Sequence, residues 1–278
     1  MDKPFCHSPR NIWHGQGIVE FNDRLTGGNT DSTWRLALRT AEALPAVKAG
    51  QFAMLRLPNN TDPLLGRPLA LYRAETHRIE VVYLAIGKMT NRLTEVPPGA
   101  PLELWMPLGN GFPDNKVQHT IIVAGGIGQT PFLMYCQNGQ ERISLLYGAR
   151  TVSRIACMDD FRQLGIEPTI ATDDGSEGYH GRVTDLIEKS YQPGEATQIL
   201  ACGPLPMLAS AFSIAQKLEL PCFVSLETPM SCGLGICYGC VVPYRATPYL
   251  EGADPAWDYR RTCIDGPVFD AYKLRWED

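Results

Sequence analysis

The sequence predicts a small antiparallel β-barrel, then a parallel-sheet α/β domain, then a short C-terminal module organised by cysteines. Three observations carry this. Short β-rich runs separated by turn residues fill the first third. Apolar strands alternate with helical segments through the middle. A C-x4-C-x2-C array with a fourth cysteine downstream marks the end. The chain accordingly divides into a lead over residues 1–16, a barrel over 17–113, an α/β domain over 114–226 and a cysteine module over 227–278.

At 278 residues the chain is long enough for two cores and a module. Hydrophobic residues at 44% and charged residues at 20% describe an ordinary globular protein. A formal charge of -5 offers no overall basic surface, which argues against nucleic acid or anionic membrane as partners. The N-terminal stretch MDKPFCHSPRNIWHGQG has no apolar core of an export signal, and no apolar run approaches a membrane span. The expectation is a soluble, cytoplasmic protein whose thiols stay reduced.

In the barrel region the strands are read at STWRLALRT, GQFAMLRLP, PLALYRAE, RIEVVYLAI and PLELWMPLG. Arg67-Pro68-Leu69-Ala70-Leu71 sets a cation beside a rigid proline in an otherwise apolar strand, where a phosphate can be held bidentately. Further on, Ala85 to Thr90 leads from a strand into a short helix. Gly87, the Thr90 hydroxyl and free N–H groups there make a usable anion site, although the same G-x-x-T turn also serves as a plain helix cap.

In the α/β region the strands HTIIVAGG, RISLLYG, PTIATDD, TQILACG and PCFVSLE are separated by helical segments, implying a parallel sheet with ligand at its carboxyl ends. Gly125-Gly126-Ile127-Gly128-Gln129-Thr130-Pro131 stands at the first such end. Its glycines would let backbone approach a pyrophosphate. It is not G-x-G-x-x-G, and Arg150 stands near where an acidic residue is expected. At later strand ends, Asp173 and Asp174 offer carboxylates to ribose hydroxyls, and Cys202-Gly203-Pro204 offers a narrow backbone shelf with a thiol. A tight or solvated turn explains each of these motifs equally well in isolation.

Cys232, Cys237 and Cys240, with Cys263 in RTCIDGPVF, have the plant-type [2Fe-2S] spacing. Gly233, Gly235 and Gly239 allow the tight fold such a loop needs. Zinc is a competing reading, but its ligands usually come as two close pairs, and Cys263 stands alone. Disulfides are another. Nine cysteines is an odd number and no export signal precedes them. Buried, inert thiols are the expectation for Cys136, Cys157 and Cys222.

Taken in order, RPLAL, GKMT, PLGNGF, GGIGQTPF, TDDGS, CGPLPM, SLETPMSCGLGICYGC and CIDGPVF resemble the electron-transfer subunits of NAD-dependent dihydroorotate dehydrogenase, within the ferredoxin reductase superfamily. The resemblance runs roughly from Gly17 to Phe269. It implies that Arg67, Pro68, Leu69 and Ala70 cradle FAD, joined by Val82, Tyr83, Leu84, Met89 and Thr90. Cys232, Cys237, Cys240 and Cys263 would ligate the cluster. Gly125, Gly126, Gly128, Thr130, Asp173, Asp174, Cys202, Gly203 and Pro204 would receive NAD(H). Three features depart from the family pattern: Ala70 in place of serine, Met89 in place of glycine, and 22 residues between Cys240 and Cys263.

The implied activity is electron transfer from NADH through FAD and a [2Fe-2S] cluster to an FMN-containing catalytic subunit in a hetero-oligomer, with pyrimidine biosynthesis as the setting. Tyr147-Gly148-Ala149-Arg150 looks more like reductase subunits of hydrogenases and transhydrogenases, which keeps another redox complex as the alternative outlet. A zinc-bound interaction protein with a vestigial barrel is the rival from outside enzymology.

Overall fold

The computed structural model describes residues 11–26, 32–59, 61–138, 141–245 and 257–276. The barrel comprises β1 (Trp13–Thr26), β2 (Ser32–Arg39), β3 (Phe52–Arg56), β4 (Arg67–Glu75), β5 (Arg78–Ala85), helix α1 (Lys88–Leu93) and β6 (Pro101–Leu108). It closes in the order β1-β2-β5-β4-β3-β6, every neighbour antiparallel. Leu36, Leu38, Leu55, Leu71 and Leu104 are fully buried inside it, and α1 adds Met89 and Leu93. The first strand starts at Trp13, inside the stretch read as a lead, and pairs there with Met106 of β6. Gly15, Gln16 and Gly17 interrupt the alternation that would have marked it, so pairing with β6 rather than intrinsic propensity makes it a strand.

The second domain comprises β7 (His119–Gly125), α2 (Phe132–Asn138), β8 (Arg142–Ala149), α3 (Met158–Arg162), β9 (Thr169–Thr172), β10 (Tyr179–His180), α4 (Ile187–Ser190), β11 (Thr197–Cys202), α5 (Leu205–Lys217) and β12 (Cys222–Ser225). After these come β13 (Val241–Arg245), β14 (Trp257–Arg261) and β15 (Val268–Asp270). The sheet runs β10-β9-β8-β7-β11-β12-β15, parallel except for β15. Every residue of β7 and β11 is buried, as expected for central strands covered on both faces. The last strand, β15, follows the cysteine loop in sequence yet completes the sheet beside β12, while β13 and β14 form a separate hairpin.

Polar contacts fix the two domains against each other. The Asp160 carboxylate on α3 accepts from Tyr72 (2.7 Å) and Arg73 (2.6 Å) of β4 and from Arg35 (3.1 Å) of β2. The Asn110 amide, just past β6, donates to the carbonyls of Asp265 (3.0 Å) and Val268 (2.8 Å) and accepts from the Val268 N–H (3.0 Å). Together these hold the barrel, the sheet and the cysteine segment in one arrangement. Among the described residues no helix is long and apolar enough to cross a membrane.

Candidate functional site

A cleft of about 710 Å³ opens where β7, β8 and β11 end. Thr33, Leu84 and Ile86 of the barrel form one wall. Gly125, Gly126, Ala149, Asp173 and Pro204 line the sheet side, so the strand ends meet at one place as parallel α/β topology requires. Three arginines also face it: Arg150, Arg154 and Arg182. The last two went unnoticed in the sequence because they come from loops with no motif around them. Their positive charge suits the pyrophosphate of a dinucleotide.

The glycines divide by task. A Cβ on Gly125 would lie 2.7 Å from Met207 Sδ and 2.9 Å from Pro204 Cδ, and one on Gly128 would overlap the Cys202 carbonyl. Gly203, at φ +153, rests 3.0 Å from the Gly125 backbone by the same measure. These three let the β7 and β11 turns touch each other. Gly126, at φ +55 with open space around it, is the one whose backbone faces the cleft freely. Thr130 spends its hydroxyl on the Ile127 carbonyl at 2.6 Å. The Asp174 carboxylate accepts from the Ser176 hydroxyl (2.6 Å) and N–H (3.0 Å), contacts that hold its pKa below the usual range, and it does not line the cleft. Cys202 is buried, and burial pushes its thiol pKa up. Near its thiol stands Glu227, an exposed residue whose carboxyl is nonetheless raised above the usual range by desolvation.

On the barrel, Arg67, Pro68, Leu69 and Ala70 form a half-exposed stretch of β4, outside the cleft lining. Because Leu71 faces Val81 in an antiparallel pair, these residues run beside the end of β5 that carries Leu84. Arg67 donates to the carbonyls of Leu65 (3.3 Å) and Gly66 (3.0 Å), leaving further guanidinium donors for an anion. Val82, Tyr83 and Met89 turn their side chains into the cores, and the Tyr83 hydroxyl donates to Asn22 at 3.0 Å. Thr90 accepts from the Gly87 N–H (3.0 Å) and the Ile86 N–H (3.2 Å), so from the third position of α1 it reaches back to the N-cap, Gly87. Gly87 itself is open, its nearest neighbour to an added Cβ being the Thr90 hydroxyl at 3.8 Å.

The four cysteines gather two and two. The Cys232 and Cys237 sulfurs are 3.4 Å apart, and those of Cys240 and Cys263 are 3.3 Å apart. The Cys232 charge also acts on Cys263 across the two pairs, although among the described residues no three of these sulfurs close on a single point. Burial pushes the Cys232 thiol up, but N–H groups of Cys237, Leu234 and Ile236 outweigh it and bring its pKa down to about 7. Such donors stabilise thiolate ligands. The loop sits on the barrel: Trp105 Nε1 donates to the Cys232 carbonyl at 3.0 Å, and a Cβ on Gly233 would lie 2.7 Å from Met54. On the other side Thr262 donates to the Cys240 carbonyl at 2.9 Å, and Arg261 to the Gly235 carbonyl at 3.0 Å. Two pairs would suit a two-iron cluster, two thiolates to each iron, whereas a single zinc would call for all four sulfurs at one point. Of the remaining thiols, Cys136 and Cys222 are buried and pushed up to about 12, and half-buried Cys157 to about 11, by desolvation in each case.

Barrel, parallel sheet and cysteine loop define an NAD-binding oxidoreductase subunit of ferredoxin reductase-like fold. Residues 227–275 match the iron-sulfur cluster binding domain of dihydroorotate dehydrogenase B, and residues 122–212 the oxidoreductase NAD-binding domain. The dihydroorotate dehydrogenase B (NAD(+)) electron transfer subunit of Desulforamulus reducens is 32% identical, over 82% of this chain and 87% of that one. Its counterpart from Geobacillus thermodenitrificans is 35% identical over 87% and 92%. The chain belongs to this family of electron transfer subunits. Among solved structures, a chain of an NADH-dependent reduced ferredoxin-NADP oxidoreductase superposes with a TM-score of 0.80 at 22% identity, covering 94% of this chain and 90% of that one. The ferredoxin reductase of carbazole 1,9a-dioxygenase gives 0.66 at 18%, over 77% and 68%. These two show a shared fold.

Proposed function

We propose that this chain carries electrons between NADH and an FMN-containing catalytic subunit, a dihydroorotate dehydrogenase of pyrimidine biosynthesis, with FAD held by residues 17–113, the dinucleotide by 114–226 and a [2Fe-2S] cluster by 227–278. What most supports this is the pairing of four thiols, two and two, on the outside of the barrel, with backbone N–H donors turned on Cys232. When bound, FAD takes up a hydride's two electrons and a [2Fe-2S] cluster passes them on one at a time. The residues divide the remaining work. Arg67 and the Lys88 N–H would hold the FAD phosphates. Gly126 and the arginines 150, 154 and 182 would hold the dinucleotide, with Asp173 at its ribose. Thr33, Leu84 and Ile86 close the barrel side of the cleft and limit water there.

The test is Cys237→Ser, a change at the exposed ligand, which perturbs packing least. The expected result is loss of the cluster's visible absorption and of electron delivery to the catalytic subunit. Bound FAD and NADH-dependent reduction of a dye that accepts from flavin should persist. Normal delivery by a verified cluster-free variant would refute the proposal.

A further inference from the structure

Gln129 ends the short 3-10 turn Gly126–Gln129 and lines the cleft, yet it is 1% exposed and neither its amide oxygen nor its amide nitrogen has a hydrogen-bond partner. Buried amides are nearly always satisfied, because losing water at both ends without replacement is costly. The local hydroxyl protons are already committed. Thr130 donates to Ile127, and the Tyr147 hydroxyl donates to the Arg154 carbonyl at 3.4 Å. The polar group that the Gln129 amide reaches is the Cys157 thiol, pushed up to about 11 by burial and drawn slightly back by the amide, a weak sulfur partner that satisfies neither end of the amide by hydrogen-bond geometry. The turn that carries Gln129 also packs against β5 of the barrel, so the amide stands where sheet and barrel walls converge.

We infer that Gln129 is a binding residue for a planar amide edge, an N–H next to a C=O, presented by a ligand at the base of this cleft. A primary amide pairs such an edge with two hydrogen bonds, one donated and one accepted. The nicotinamide carboxamide and the imide of the flavin ring both carry that edge. The inference rests on the proposed reading of the cleft as the meeting place of dinucleotide and flavin. Leucine or methionine would fill the same volume without any polar cost, so the amide is explained by a ligand and not by packing.

The experiment compares full-length protein, purified anaerobically with its cofactors, with Gln129→Leu and Gln129→Glu. Four quantities are read: FAD affinity by flavin fluorescence, the flavin absorption spectrum, KM for NADH, and KM for the analogue whose carboxamide is replaced by an acetyl group. If the nicotinamide is the partner, Gln129→Leu raises KM for NADH about tenfold, the worth of one to two hydrogen bonds, while FAD affinity holds. The preference for NADH over the acetyl analogue should shrink at the same time. If the flavin imide is the partner, FAD affinity falls about tenfold and the flavin bands shift, while the NADH to analogue ratio stays constant. Gln129→Glu, which keeps the acceptor but not the donor, should reproduce at least half of the logarithmic loss. Wild-type values for all four in Gln129→Leu, or a changed melting temperature alone, would overturn the inference. Wild-type protein that bound neither FAD nor NADH would instead overturn the reading of the cleft beneath it.

Discussion

Truncating Asn110 to alanine should release the cysteine segment from the barrel while leaving both main domains folded. Three hydrogen bonds disappear: two donated to the carbonyls of Asp265 and Val268 and one accepted from the Val268 N–H. The fourth contact, from the Asn110 backbone N–H to the Gly266 carbonyl at 2.6 Å, is untouched. At about 0.5–1.5 kcal/mol each the three sum to roughly 3 kcal/mol, and because Asn110 is half-buried, water recovers some of this, leaving about 2 kcal/mol. For a unit of this size that corresponds to a fall of about 4–8 °C in melting temperature. The functional consequence follows from chain order. The released segment lies between Cys263 and β15, so iron should be lost more readily than flavin. Thermal unfolding of the holoprotein, with iron and flavin quantified after mild heating, measures both. Asn110→Asp is the control: it keeps an acceptor for Val268 but turns acceptor-only oxygens toward two carbonyls, so it should be no better than alanine. An unchanged melting temperature with unchanged iron retention would show that the staple holds nothing.

Two further outcomes are expected. Arg67→Ala should weaken FAD binding about tenfold to a hundredfold by removing one charge-assisted contact, with the barrel still folded, since among the described residues Arg67 otherwise donates to the Leu65 and Gly66 carbonyls; unaltered flavin content and affinity would remove it from the site. His119 is fully buried between Ser144 and Arg142, at 2.9 Å from each, and desolvation followed by the Arg142 charge lowers its pKa from 6.5. The unfolded chain then binds more protons, so His119 contributes stability that is complete above about pH 6.5 and is lost as pH falls through its folded pKa. His119→Gln should flatten the acid side of the melting temperature profile below pH 6.5, and an unchanged slope there would contradict the assignment.

What the sequence determined by itself was what depends on spacing along the chain. The C-x4-C-x2-C array, the five strand runs from STWRLALRT to PLELWMPLG and the alternation of strand and helix after Pro113 all reflect local geometry, because cluster ligation and strand or helix period constrain residues only a few positions apart. Tertiary structure decided which way side chains point and what they touch. Val82, Tyr83 and Met89 belong to cores because a closed barrel docked on a second domain covers both faces of its strands, so neighbours in sequence divide between interior and site. Gly125, Gly128 and Gly203 serve contact between two turns whose strands are more than seventy residues apart, a demand that no local pattern expresses. The same holds for the arginines at 154 and 182, for Asn110, and for the first barrel strand, which becomes a strand by pairing with β6. Gln129 is the sharpest case: in sequence it is one residue of a glycine-rich turn, and only the packing around it reveals an amide buried without a partner.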